Sequence, residues 1–144
     1  MSSRNKSNTR QQQEQFIEHC RYLGLKLLAE EYQQMIDRAN EAAIGYYEFI
    51  SNIVQTEAAA KRQRRIESLI KSSRLPQPLK MLADFDFDFQ PKMDRRLIMD
   101  LASLRFIKRN ESILFLGDVG TGKSHIAQSL SLMACQGGYK TYYT

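Results

Sequence analysis

Ser112-Ile113-Leu114-Phe115-Leu116-Gly117-Asp118-Val119-Gly120-Thr121-Gly122-Lys123-Ser124 joins an apolar run directly to a glycine-rich loop. Ile113 to Leu116 is too short a run for a helix and suits a strand buried on both faces. Gly117 ends that run, and Gly117 to Ser124 fits G-x-x-x-x-G-K-[ST] without mismatch. The glycines let successive main-chain N–H groups face inward. A helix expected from about Gly122 to Gln136 adds its positive end, so the loop is shaped to hold a polyphosphate. Lys123 reaches toward the β and γ phosphates, and Ser124 offers its hydroxyl to Mg²⁺ as the one metal ligand of the set. The expected nucleotide-binding residues are therefore Gly117, Asp118, Val119, Gly120, Thr121, Gly122, Lys123 and Ser124, with His125 beside them. His125 receives no chemistry, because a lone His one residue into a helix more often packs or caps. Nothing in the loop selects adenine over guanine. The helix is expected to stop at Gly137-Gly138, and Tyr139 to Thr144 reads as a second strand.

On the amino-terminal side of the loop the composition divides the chain again. Residues 1 to 15, with a Gln11-Gln12-Gln13 run and no aliphatic residue after Met1, read as a flexible tail. From Phe16 to about Arg74 there is no proline, and apolar residues recur at helical intervals, so 16–74 reads as an all-helical domain. Interruptions are expected at Gly24 and between Asn40 and Gly45, with a last helix from about Tyr46 to Ser73. All three prolines, Pro76, Pro78 and Pro91, fall in 75–93, which reads as a linker carrying Phe85-Asp86-Phe87-Asp88-Phe89. If extended, that alternation puts three rings on one side; otherwise it forms an irregular strip. These rings, like Tyr46, Tyr47 and Phe49, read as core. A short helix follows from Asp94 as N-cap to about Phe106.

Between Lys61 and Arg74 six cations, Lys61, Arg62, Arg64, Arg65, Lys71 and Arg74, stand against the single Glu67. At 100° per residue Lys61, Arg64, Arg65 and Lys71 fall within an arc of roughly 120°, with Ile66, Leu69 and Ile70 on the adjacent face. Such a face suits the phosphate backbone of DNA, where contacts release counterions whatever the base sequence. Aromatic residues are not interleaved with the charges, so a single-strand stacking platform is not suggested.

The 144 residues, 42% hydrophobic and 26% charged, fit one compact domain or two small ones and exclude a large multidomain enzyme. A formal charge of +5 favours an anionic partner. No apolar stretch approaches the roughly 20 residues of a membrane span and no secretory pattern opens the chain, so a cytoplasmic location without membrane attachment is expected. Cys20 and Cys135 have neither metal-ligand nor disulfide spacing and read as buried thiols.

Gly117 to Ala127, read as Gly-Asp-Val-Gly-Thr-Gly-Lys-Ser-His-Ile-Ala, resembles the nucleotide loop of helicase loaders and of IstB-like transposition helper ATPases. Phe85 to Pro91, Asp94 to Ile98 and Leu101 to Ile107 are similar to the stretch before the loop in the IstB-like family, as is the helix opening at Tyr47-Glu48-Phe49. The resemblance implies an α/β P-loop NTPase of the AAA+ class, preceded by an all-α amino-terminal domain. It implies ATP and Mg²⁺ as cofactors, DNA and a cognate transposase as partners, homo-oligomers of the full-length protein, and a role in transposition and DNA recombination. On this reading 16–74 contacts DNA and 94–144 begins the ATPase domain, which is cut after its second strand. Phosphoryl transfer needs an acidic site, a sensor and usually an arginine from a neighbouring subunit. The resemblance places these beyond Thr144, so no catalytic residue is assigned. Two alternatives stand beside it: a helicase loader, and a non-enzymatic DNA-binding remnant of a mobile element.

Overall fold

The computed structural model describes residues 2–89 and 93–144; the Pro91 end of the expected linker lies outside them. Two compact units form, Met1–Gln63 and Arg64–Thr144. The first holds α1 (Ser2–Tyr22), α2 (Lys26–Glu41) and the start of α3 (Tyr46–Ser72). The second holds the end of α3, a single 3₁₀ turn at Leu82–Asp84, α4 (Arg95–Ala102), α5 (Arg105–Lys108) and α6 (Lys123–Gln136).

In the first unit, Gly24 at φ +75° ends α1 with paired bonds, Gly24 N–H to the Arg21 carbonyl at 3.0 Å and Leu25 N–H to the Cys20 carbonyl at 2.8 Å. The chain can then turn back as α2, and the Phe16 and Tyr32 rings meet edge-on at 5.1 Å. Cys20 and Ala29 are buried between these helices. α1 also extends back over residues 2–15, which composition assigns to a flexible tail. Those residues contain neither Gly nor Pro, and Gln and Arg are good helix formers, so the helix continues past the point where it has anything to bury.

The core of the second unit is Ile98 of α4 with Ile126 and Leu130 of α6, covered by Leu82, Phe85, Phe87, Met93, Leu101, Ile113 and Phe115. Asp94 caps α4 as expected, its carboxylate accepting the N–H groups of Arg96 at 2.9 Å and Leu97 at 3.1 Å. α6 ends in the same motif as α1: Gly138 at φ +86° donates to the Cys135 carbonyl, and Tyr139 N–H donates to the Ala134 carbonyl.

The expected α/β P-loop NTPase architecture is not formed. Among the described residues there is no β-strand, and so no AAA+ sheet cut after a second strand. The reason lies in pairing. Ser112 to Leu116 does alternate, Ile113 and Phe115 packing inward while Leu114 and Leu116 stand 80% and 82% exposed, so it is not buried on both faces. A strand exists through a hydrogen-bonded neighbour, and residues 139–144 do not supply one. They dock elsewhere: Tyr143 N–H donates to the Ser73 carbonyl at 2.7 Å, and the Thr141 hydroxyl lies 2.8 Å from Cys135 Sγ. The helices prevail because their hydrogen bonds are internal.

The aromatic residues also divide differently from expectation. Phe85 and Phe87 pack edge-on at 4.9 Å and join the core. Phe89 is exposed, because the Asp86 carboxylate accepts the N–H groups of Asp88 and Phe89 and turns the chain. Tyr46 and Tyr47 are exposed as well, whereas Phe49 is half-buried.

Candidate functional site

Residues 117–124 leave the extended segment and turn into α6. Gly120 at φ +83° and Gly122 at φ +86° occupy left-handed backbone that a side chain would strain, which is why glycine stands at both positions. Thr121 Oγ1 donates to the Asp118 carbonyl at 2.9 Å and closes the loop on itself. Lys123 Nζ folds back into it, donating to the Gly117 carbonyl at 2.8 Å and to the Asp118 carbonyl, with Thr121 Oγ1 at 3.3 Å. The ammonium is therefore held by the loop's own carbonyl groups. Gly122, as N-cap of α6, provides no side-chain acceptor, so the first-turn N–H groups are not capped from that position. Ser124 is exposed, as are Asp118, Val119 and Gly120.

The loop rests on residues that sequence spacing does not connect to it. The Phe85 ring lies against Gly122, where a Cβ would come within 2.5 Å of Cε2. The same ring meets His125 edge-on at 5.3 Å, and His125 Nε2 is 2.9 Å from the Met81 carbonyl. His125 is thus a packing and tethering group that links the first turn of α6 to the turn before Leu82. Phe85 packs against the loop; in the sequence it is the first ring of an alternating aromatic strip, but nothing in that pattern points to Gly122.

The six cations lie along α3 and the turn after it. Lys61, Arg62, Arg65, Lys71 and Arg74 are exposed and Arg64 is half-buried. Arg74, at φ +58°, places its guanidinium 4.9 Å above the Tyr142 ring, a cation–π contact invisible to helical periodicity.

Buried polar chemistry in the first unit centres on Glu57, 4% exposed, whose Oε2 accepts the Leu28 N–H at 3.0 Å. Burial raises the Cys20 thiol pKa above its usual value, and the Glu57 charge adds to the effect. Cys20 and Cys135 are both free thiols and both buried. Among the described residues no group of three or more His, Cys, Asp or Glu could hold a metal, and no helix is long and apolar enough to cross a membrane.

Residues 19–144 match the family model of IstB-like ATP binding proteins. The chain is 42% identical over 130 residues to a protein of insertion sequence IS5376 from Geobacillus stearothermophilus, named for ATP binding, covering 90% of this chain and 51% of that one. It is 35% identical over 121 residues to the corresponding protein of IS21 from Pseudomonas aeruginosa, covering 84% and 45%. A third relative, from IS232 of Bacillus thuringiensis, is 32% identical over 130 residues, covering 90% and 52%. The chain spans about half the length of these curated relatives.

Proposed function

The chain belongs to the IstB-like ATP-binding protein family, and from that premise we propose that it binds the polyphosphate of ATP at residues 117–124 and contacts DNA through the basic helix α3. The observation that carries the nucleotide reading is the loop itself. Two left-handed glycines, a helix start without a side-chain cap and an ammonium group folded back onto the loop come together within residues 117–124. Main-chain N–H groups and the α6 dipole favour an anion, and Lys123 Nζ exchanges carbonyl acceptors for phosphate oxygens when one enters. The residues fit Mg²⁺ in a limited way. The exposed Ser124 hydroxyl is a hard oxygen ligand, and an ion of this kind takes few protein ligands and keeps its waters and phosphate oxygens. When bound, Mg²⁺ neutralises charge between phosphates. Phe85 and His125 hold the loop's helical end in place, so that the donors are organised before the ligand arrives.

Hydrolysis is assigned to no residue of this chain. The expected role is nucleotide-dependent assembly on DNA in support of the transposase of an insertion sequence, in keeping with the insertion-sequence names of the relatives. Exposed cations on one helix supply sequence-independent backbone contacts.

Binding of a fluorescent ATP analogue to the full chain, with and without Lys123→Ala, tests the nucleotide reading. Loss of most of the signal is expected, with at least a tenfold weaker affinity if one charge-assisted contact is removed. An unchanged signal removes the claim.

A further inference from the structure

Within the first unit, α2 and α3 are joined by residues 42–45 but do not close on each other. Glu57 ties α3 to the first turn of α2 through the Leu28 N–H, yet no Cα of α2 comes within 8 Å of a Cα of α3, so the two stand further apart than tightly packed neighbours. A hollow of about 320 Å³ lies in the gap. Met35 and Ala39 of α2 and Phe49 and Ile53 of α3 line it, all four half-buried, and the small Ala39 side chain leaves part of the space. Its mouth carries opposite charges, Glu31 and Arg38, which sit on the same face of α2 seven residues apart. That spacing is about 10 Å along the helix, with Met35 between them. Arg38 donates one long bond, to Gln34 Oε1 at 3.5 Å, and among the described residues neither Glu31 nor Arg38 is ion-paired.

We propose that this hollow receives an amphipathic helix of a second protein, which lies along the mouth and inserts one aromatic or large aliphatic side chain between Met35, Phe49 and Ile53. About one turn to either side of that anchor the incoming helix presents a carboxylate to Arg38 and a cation to Glu31. The spacing selects a helix. The two charges are two turns apart with the apolar hollow midway, and one helix face supplies an acid, an apolar side chain and a base at the same intervals of three and four residues. The volume lies at the lower end of that of organic-ligand pockets, enough for one large side chain rather than for a whole helix. A small amphiphile engages one of the two charges and leaves the other unpaired. Nucleic acid fits less well, because Glu31 repels phosphate and the lining below it is apolar. The site belongs to the first unit alone and uses none of the cations assigned to DNA.

The probe is a fluorescein-labelled, alanine-rich helical peptide of about 15 residues with a central Phe, a Glu one turn before it and a Lys one turn after it. Anisotropy with the full chain should show saturable binding, weakened at least fivefold when the peptide carries Lys at both charged positions. Arg38→Glu makes the mouth wholly acidic and should invert that preference, so that the two-lysine peptide binds more tightly. Ala39→Phe fills the hollow from within and should abolish binding, while far-UV circular dichroism and the unfolding midpoint show that the chain is still folded. The proposal is overturned by the absence of saturable binding, by equal affinity for the two peptides, by a preference that Arg38→Glu leaves unchanged, or by binding that survives Ala39→Phe. A binding curve that falls again as the chain's own concentration rises would show that a second copy holds the hollow, and the proposal would fail on that result too.

Discussion

The Phe85 ring occupies the space into which a side chain at Gly122 would point: a Cβ there would lie 2.5 Å from Cε2 and 2.8 Å from Cζ. These residues are far apart in sequence, and their contact joins the core of the second unit to the loop. Phe85 also packs against the Ile98, Ile126 and Leu130 cluster, so it has little room to retreat. Gly122→Ala is therefore expected to destabilise the chain by about 2–3 kcal/mol, about 1–2 from the left-handed backbone and the rest from displacing the ring. Phe85→Ala removes the collision but leaves the backbone strain. Urea unfolding of both single variants and the double variant should give a coupling of at least about 0.5 kcal/mol. Simple additivity would show that the ring and the loop do not press on each other.

Glu57 acts as a cap delivered from another helix. Leu25, the N-cap residue of α2, makes no side-chain bond, and the first-turn N–H of Leu28 is instead accepted by the buried Glu57 carboxylate at 3.0 Å. Glu57→Ala leaves that donor without its acceptor and should cost about 2–3 kcal/mol, whereas Glu57→Gln keeps a carbonyl oxygen and should cost less. Denaturant midpoints order the three proteins; equal losses for Ala and Gln would mean that the charge, not the hydrogen bond, is what matters.

Cys20 gives stability a pH dependence of known sign. Burial, and then the nearby Glu57 charge, raise its pKa in the folded chain above that of the unfolded thiol. The folded state therefore keeps its proton where the unfolded state has lost it. The Cys20 contribution is fully present below the unfolded pKa, about 8.5, and declines as pH rises through the folded value. Thermal midpoints of the wild type and Cys20→Ala, compared between about pH 7 and 10, should converge as pH rises. A difference that does not change with pH would contradict this. Alkylation by iodoacetamide at about pH 8 should also be slow at Cys20 until the chain unfolds.

What the sequence makes legible is local. Asp94 as a cap, Gly24 and Gly138 as helix ends, and the glycines of the loop each follow from the chemistry of a few neighbouring residues. Apolar periodicity likewise locates α3 and α6 to within a residue or so. The expected sheet does not form, because an apolar run reports the capacity to pair, not the presence of a partner. Ile113 and Phe115 found one wall of packing in α6, and residues 139–144 were drawn to Ser73 and Cys135 instead. Phe85 against Gly122 and Glu57 against Leu28 join positions many residues apart, and no spacing rule reaches that far. The exposed Tyr46 and Tyr47 show the opposite error: a helical aromatic pattern marks a face, but not whether anything in the same unit covers it.

On the DNA reading, the basic residues of α3 act through charge alone, and this makes a quantitative prediction. Arg65 and Lys71 are exposed, with no bond that ties them to the fold described above, so replacing either removes about one phosphate contact. Fluorescence anisotropy with two duplexes of unrelated sequence should show the slope of log affinity against log salt falling by about 0.9 for Arg65→Ala and by as much again for Lys71→Ala. The loss should be the same on both duplexes, because a phosphate contact carries no base information. Arg74 differs, since its guanidinium also lies over Tyr142, and Arg74→Ala should lower the unfolding midpoint as well as the slope. A slope that none of these replacements changes would remove α3 from the DNA interface. A loss confined to one duplex would instead make the helix a reader of sequence.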